Sequence, residues 1–473
     1  MFNSNSYKFS KKAVTIGAFL LSAASLNEAG TLTLPLQVIQ STSQNYNASS
    51  SLKRSTAAQA DDVHQAYSLV SFTLGGQNIT SIVDTGSAVL WVGDKDSTDT
   101  DFTEGLCAQN GCYSLDAGTA TDMDTSSTIE YAQGTVVSIE MYEDTIGIAG
   151  VDVSDFEFGF ASTYPEFNHS VFGLRHMYGT ADSASLTYML KAAGYIDSNS
   201  LSLSYEGPLQ LTASNDDVIA TGEILFGGYD SSKTSGSMKT FTIDDNSEMS
   251  DLTSVSLKSS SSSSSSLASV SVSEAVVLDS GTTDAIIIPG LSAIIEQIDI
   301  TNGYWDCDTY EDYIVEFDFN GSILEVPLNN LAGSYSGMCY SFFEDTDVGV
   351  GLLGQFFLTN VVSYWDYDSS IVGIAPYGGY AEWTDDSTSS TTTTSSTSTT
   401  SSTSSTSSTS STSSTSSTSS TSSTSSTSTT STSSTSTTPT STSSSTSTTS
   451  SSSTSTTSST STSSLSSSTS SET

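Results

Sequence analysis

The sequence predicts an all-β, two-lobed fold with a few short helices and a disordered Ser/Thr-rich C-terminal tail. Three observations carry that expectation. Between about residues 67 and 380 the chain is built of short β-type runs separated by Gly, Asn and Asp. Within that stretch an Asp-hydroxyl-Gly-hydroxyl segment occurs twice. Beyond it almost no apolar side chain remains.

In chain order, Lys8, Lys11 and Lys12 precede an apolar, small-residue-rich run from Ala13 to Leu26. That pattern reads as a secretion signal over residues 1–26, too short to span a bilayer. A polar stretch follows and ends in Lys53-Arg54. An isolated dibasic step in such a segment suits a processing protease of the secretory route, so residues 27–54 are expected to be a pro-segment. Residues 55–386 then form the folded body, with one lobe over about 67–205 and a second over about 206–380.

In the body, Ser68–Leu74, Ile79–Val83 and Val136–Met141 are rich in Val, Ile, Phe and hydroxyl residues, as strands are. Helix is predicted only for Ser183–Ala193, stopped by Gly194, and for Pro289–Ile298, which opens on proline. The serine-rich stretch from Ser256 to Ser273 reads as a long surface loop. Four cysteines, Cys107, Cys112, Cys307 and Cys339, suit an oxidising destination. They allow three pairings, of which nearest neighbours are the simplest. A zinc site is the rival, but His64, His169 and His176 do not stand at ligand spacing from a cysteine pair. No metal or cofactor is expected. Asn78, Asn168 and Asn320 open glycosylation sequons.

From Ser387 to the end every residue is Ser or Thr except Pro439, Leu465 and Glu472. Such a tail buries too little to offset its chain entropy, and its composition suits dense O-glycosylation. No apolar segment closes the sequence as given, so the expectation is either a protein released or trapped in a cell wall, or a sequence truncated before a glycolipid-anchor signal.

The chain carries 52 acidic against 11 basic residues, a formal net charge of -41. A body this acidic repels nucleic acid and anionic membranes. Carboxylates crowded mainly by one another are expected to have raised pKa values, giving a protein stable in acid and weakened toward neutral pH.

The duplication carries the chemistry. Ile82-Val83-Asp84-Thr85-Gly86-Ser87 and Val277-Leu278-Asp279-Ser280-Gly281-Thr282 share two apolar residues, Asp, a hydroxyl, Gly and a hydroxyl. Farther along come Val171-Phe172-Gly173-Leu174 and Leu352-Leu353-Gly354. The same elements in the same order imply two similar lobes facing one another. Apolar strands would bring each Asp to a site with little water, and each Gly would permit close approach of the backbone. Two carboxylates held this close share one proton, which supplies a base and an acid together. Peptide hydrolysis needs that pair: one Asp deprotonates a water while the other donates toward the substrate carbonyl.

At this point the chain resembles the pepsin-like aspartic proteases over about Tyr67 to Tyr380, a family in which the shared-proton pair is long established. The resemblance implies a bilobal pepsin-like fold, Asp84 and Asp279 as the catalytic pair, and peptide or protein substrates acted on by a monomer. It further implies that Ser87 and Thr282 bond the catalytic carboxylates, that Thr85 and Ser280 lock the two loops, and that Gly86, Gly281 and Thr283 complete the substrate cleft. Tyr131, in Tyr131-Ala132-Gln133-Gly134-Thr135, resembles the tyrosine of the flap that closes over bound peptide, with Trp91 its partner. The cysteines fall where the family has one disulfide per lobe, Cys107–Cys112 and Cys307–Cys339. Leu225-Phe226-Gly227-Gly228-Tyr229-Asp230 resembles an inter-lobe segment. Dibasic processing and the Ser/Thr tail are similar to those of the fungal cell-surface members, the yapsins and their relatives. Ala132 in place of the usual flap glycine, Gln133 and Gln355 depart from the pattern. Two other readings compete with the acid endopeptidase: a catalytically silent wall glycoprotein, and a carboxylate-pair glycosidase, which would leave the duplicated Gly-hydroxyl motifs unexplained.

Overall fold

The computed structural model describes residues 30–43, 63–97, 107, 111–131, 135–162, 169–176, 181–212, 217–260, 266–283, 286–298, 304–341, 343–345 and 349–385. Strands dominate, and alternation of side chains explains most of them. In Val136–Ile148, for example, Val137 and Ile139 are buried while Val136, Ser138 and Glu140 face solvent. No helix among the described residues is long and apolar enough to cross a membrane.

A 14-stranded sheet runs through both halves. Its middle is the strand Leu32–Ser43, antiparallel to Val218–Phe226 on one side and to Val63–Leu74 on the other. From the first neighbour the sheet continues through Ser200–Tyr205, Val361–Asp366 and Ile371–Pro376 to Lys239–Thr242. From the second it continues through Gln77–Asp84 toward Trp91–Asp94, Val151–Ala161 and Val136–Ile148. Leu32, Leu34, Leu36 and Val38, every second residue of the middle strand, enter the main core. The expected pro-segment thus supplies this sheet with its central strand.

The duplication in sequence is also one in topology. Gln77–Asp84 pairs in parallel with Ser170–Gly173, and Trp91 pairs antiparallel with Val171. In the second half Val276–Leu278 pairs in parallel with Gly351–Leu353, which in turn runs antiparallel to Ile286–Ile287. Parallel neighbours are buried on both faces, which is why these strands read as unbroken apolar runs. Val83, Phe172, Leu278 and Leu353 all belong to the main core.

Two expectations need correction. The stretch from Ser256 to Ser273 is not one long loop. Strands Leu252–Ser259 and Ala268–Ser271 pair antiparallel, with Val255, Leu257 and Val270 buried at alternate positions. A few inward apolar residues suffice to set the pleat, and serine is tolerated between them. The helices are also shorter than predicted, Leu186–Ala192 after a 3-10 turn at Asp182–Ala184, and Ser292–Ile298. Gly194, with φ +77°, ends the first. Cys107–Cys112 and Cys307–Cys339 are disulfides with Cα separations of 4.9 and 5.3 Å. The signal over 1–26, Lys53-Arg54, Asn168, Ala132, Gln133 and the tail from 387 lie outside the described residues.

Candidate active site

Asp84 ends its strand and Asp279 follows directly on Val276–Leu278, so each sits where an apolar strand gives way to a tight loop. The first carboxylate is held by its own loop: Oδ1 accepts from the N–H groups of Gly86 (2.8 Å) and Ser87 (3.1 Å), and Oδ2 from the Ser87 hydroxyl (2.5 Å). The second repeats the arrangement. Its Oδ1 accepts from the Gly281 N–H at 2.9 Å and its Oδ2 from the Thr282 hydroxyl at 2.6 Å. A Cβ added to Gly86 would lie 2.5 Å from the carboxyl carbon of Asp279, and one added to Gly281 would lie 2.6 Å from Asp84 Oδ1. Glycine is therefore required here by the approach of the opposite carboxylate rather than by backbone dihedrals.

Thr85 and Ser280 join the two loops by reciprocal bonds. The Thr85 hydroxyl donates to the Leu278 carbonyl (2.7 Å) and accepts from the Ser280 N–H (3.0 Å). The Ser280 hydroxyl donates to the Val83 carbonyl (2.8 Å) and accepts from the Thr85 N–H (3.1 Å). Both side chains are almost wholly buried, so every bond is made away from competing water. The strands behind are tied in the same way: the Leu174 N–H donates to the Asp84 carbonyl, and the Asp279 N–H to the Leu353 carbonyl.

Electrostatically Asp84 stands apart from the rest of this acidic molecule. Burial is the main cause that lifts its pKa above the usual carboxylate range, and the charge of Asp279 beside it comes second. Hydrogen bonds from Ser87 and Gly86 offset these only in part. Five other described carboxylates are lowered, against the expected general rise. Burial pushes Asp144 up, but hydrogen bonds from Tyr113, Thr119 and the Thr145 N–H outweigh it. At Asp345 the same balance falls to Ser292 and the Gly290 N–H, at Glu316 to Lys258 and Ser256, and at Asp368 to Lys191 and the Asn199 N–H. Asp230 is lowered chiefly by Ser232. Lysines share this work at Glu316 and Asp368, and hydroxyl and N–H donors do it at Asp144, Asp230 and Asp345.

Above the pair, the Tyr131 hydroxyl accepts from Trp91 Nε1 at 2.7 Å and also bonds Ser87. Burial pushes its pKa up, and the charge of Asp84 adds to the effect. Trp91 is fully buried in a small cluster with Val137, Ile139 and Val171, against which Tyr131 packs. Thr283 follows the second loop, partly buried. Asn78 and Asn320 are exposed on the body, the latter at a turn with φ +53°.

Sequence reasoning noted Gln355 only as a departure from the family pattern, without its role, and missed Arg175 altogether. Under the second loop, Gln355 is fully buried, its Oε1 accepting from the hydroxyls of Ser68 (2.7 Å) and Tyr205 (3.4 Å). Its N–H donates to the Thr282 carbonyl. Under the first loop, the Arg175 N–H donates to the Ser87 carbonyl, and its guanidinium reaches the Gly86 carbonyl. The available signal for Arg175 was its position, a cation directly after Val171-Phe172-Gly173-Leu174 in a chain with few cations. Among the described residues no cluster of three or more His, Cys, Asp or Glu side chains is placed to hold a metal ion.

Residues 67–377 match the family described as eukaryotic aspartyl protease. Candidapepsin-4 of Candida albicans (strain WO-1) is 30% identical over 277 residues, 56% of this chain and 62% of that relative. The chain therefore spans less than two thirds of that relative's length. The acid protease of Saccharomycopsis fibuligera is 30% identical over 382 residues, 73% of this chain and 92% of the relative. Among solved structures, the aspartic proteinase from Irpex lacteus superposes with a TM-score of 0.50 at 19% identity, over 72% of this chain and 98% of that one, a likeness of fold.

Proposed function

The chain belongs to the eukaryotic aspartyl protease family, and from that premise we propose that it is a secreted acid endopeptidase whose Asp84 and Asp279 activate a water. The observation that carries the proposal is the convergence of two carboxylates on facing Gly-hydroxyl loops, with the pKa of Asp84 raised by burial and by Asp279.

In this reading the pair holds one proton between pH values at which both would be neutral or both charged, and the titration belongs to the pair rather than to either residue. The charged carboxylate removes a proton from a water lying between the two, and the water oxygen attacks the peptide carbonyl carbon. The protonated carboxyl donates to the carbonyl oxygen, so the tetrahedral intermediate forms without a free oxyanion. Transfer of a proton to the amide nitrogen then lets the C–N bond break and releases amine and acid. Ser87 and Thr282 keep each carboxylate oriented through bonds of 2.5 and 2.6 Å. Tyr131, fixed by Trp91, closes over the substrate and excludes water.

Secretion is supported by the relatives named as secreted aspartic proteases of Candida albicans, and by the basic-then-apolar leader. Processing by a protease that cuts after Lys53-Arg54, glycosylation at Asn78, Asn168 and Asn320, and retention in the wall by the Ser/Thr tail belong to the same proposal. The test is cleavage of a peptide library by the secreted full chain at acid pH. Cleavage blocked by a statine-type transition-state mimic, and reduced at least about 10³-fold in Asp84→Asn and in Asp279→Asn, is the expected result. Wild-type protein that cleaves no peptide between pH 3 and pH 6 would leave the fold without this activity.

A further inference from the structure

Arg175 is the one arginine of the folded body, and it is only 9% exposed. A buried guanidinium needs partners, and this one takes them from both halves of the molecule. Its Nη1 donates to the Gly86 carbonyl at 3.1 Å, inside the loop that holds Asp84, while its backbone N–H donates to the Ser87 carbonyl at 2.9 Å. Its Nε donates to the Asn246 carbonyl at 2.6 Å, and its Nη2 pairs with Glu248 at 3.1 Å. The same far segment is fastened once more by the Ser247 hydroxyl, which donates to the His176 carbonyl at 2.5 Å.

Residues 246–248 lie next to the strand that carries the other carboxylate. Met249 and Val276 exchange backbone bonds, Met249 N–H to Val276 carbonyl at 3.0 Å and Val276 N–H to Met249 carbonyl at 2.8 Å. Val276 begins the three-residue strand that delivers Asp279. A continuous path therefore runs from the Gly86 carbonyl through the guanidinium to residues 246–249, and from there to the root of Asp279. It is a second connection between the two loops, independent of the Thr85–Ser280 exchange.

We infer that Arg175 is a positioning residue for the carboxylate pair, setting the Asp84 loop against the segment that leads to Asp279. The planar fork suits this role. It presents separated donors in fixed directions to a loop carbonyl, a second carbonyl and a carboxylate, which a single ammonium nitrogen cannot do. The inference rests on the proposed endopeptidase activity, because what Arg175 positions matters only if the pair reacts.

The experiment compares wild type with Arg175→Met, Arg175→Lys and Glu248→Gln as secreted full-length proteins. Active sites are counted with a tight statine-type mimic, so that kcat is expressed per competent site and loss of folded protein is divided out. The expected result is a kcat about tenfold to a hundredfold lower in Arg175→Met, with KM within about twofold, since misplacing reacting groups by an ångström costs that much. Arg175→Lys is expected to recover part of the loss, and Glu248→Gln to lose about threefold, the guanidinium keeping its carbonyl partners. Should Arg175→Met fail to fold, the other two variants carry the comparison. Variants with kcat per titrated site within twofold of wild type overturn the positioning role while leaving the proposed activity standing. A wild type that cleaves nothing overturns the activity itself and the positioning role with it.

Discussion

Gly86 and Gly281 show how little freedom the centre of this molecule has. A methyl group at either position would overlap the carboxylate opposite. Gly86→Ala is therefore expected to abolish peptide cleavage and to lower the urea midpoint, because the loops must separate to admit the Cβ. Thr85→Val keeps the shape but removes a hydroxyl that serves the Ser280 N–H and the Leu278 carbonyl. Two buried backbone groups would lose their partners, so chemical denaturation should report a loss of about 2–4 kcal/mol. At this scale the residues of the two motifs were legible, since repetition marked Asp84, Thr85, Gly86 and Ser87 against Asp279, Ser280, Gly281 and Thr282. Arg175 and the Ser68–Tyr205–Gln355 group were not, because each has no second copy and finds its partners only through tertiary contacts.

At the scale of elements, the parallel strands that deliver the carboxylates were visible as unbroken apolar runs, whereas the strands Leu252–Ser259 and Ala268–Ser271 were hidden by serine. Their pleat is set by a few buried apolar residues, Leu252, Val255, Leu257 and Val270. Leu32–Ser43 was hidden for a different reason: it stands apart from the body's β texture, before a long polar stretch, and both of its partners lie later in the chain, one of them far along it. Its core contribution is measurable. Leu36 is almost fully buried, and Leu36→Ala is expected to cost about 2–5 kcal/mol in equilibrium unfolding, as for other buried leucines. A chain beginning at Val63 would lack the strand between Val218–Phe226 and Val63–Leu74 and should not fold.

For the whole molecule, acidity of composition is a poor guide to pH dependence. Asp84, raised to about 7 mainly by burial, holds its proton more tightly folded than unfolded, so its contribution is present below about pH 4 and lost as pH rises toward 7. His169 acts in the opposite sense. Burial lowers its pKa from 6.5 to about 4, so the unfolded chain takes up a proton first and stability falls as pH drops through that interval. The lowered carboxylates Asp144, Asp230, Glu316, Asp345 and Asp368 lose their stabilising bonds further down, as they become protonated. Thermal melts should therefore pass through a maximum in mildly acid solution rather than climb steadily toward low pH. His169→Gln should weaken the acid-side decline between pH 6.5 and 4, measured as a smaller drop in Tm across that range.

The strand Leu32–Ser43 also decides what a cut at Lys53-Arg54 would yield. Hydrogen-bonded ladders flank it on both edges, and the first cysteine of the chain is Cys107. The severed N-terminal peptide would accordingly stay threaded through the protein without any covalent tether. It would co-elute with the larger piece in a native column and separate from it in detergent, with or without reductant.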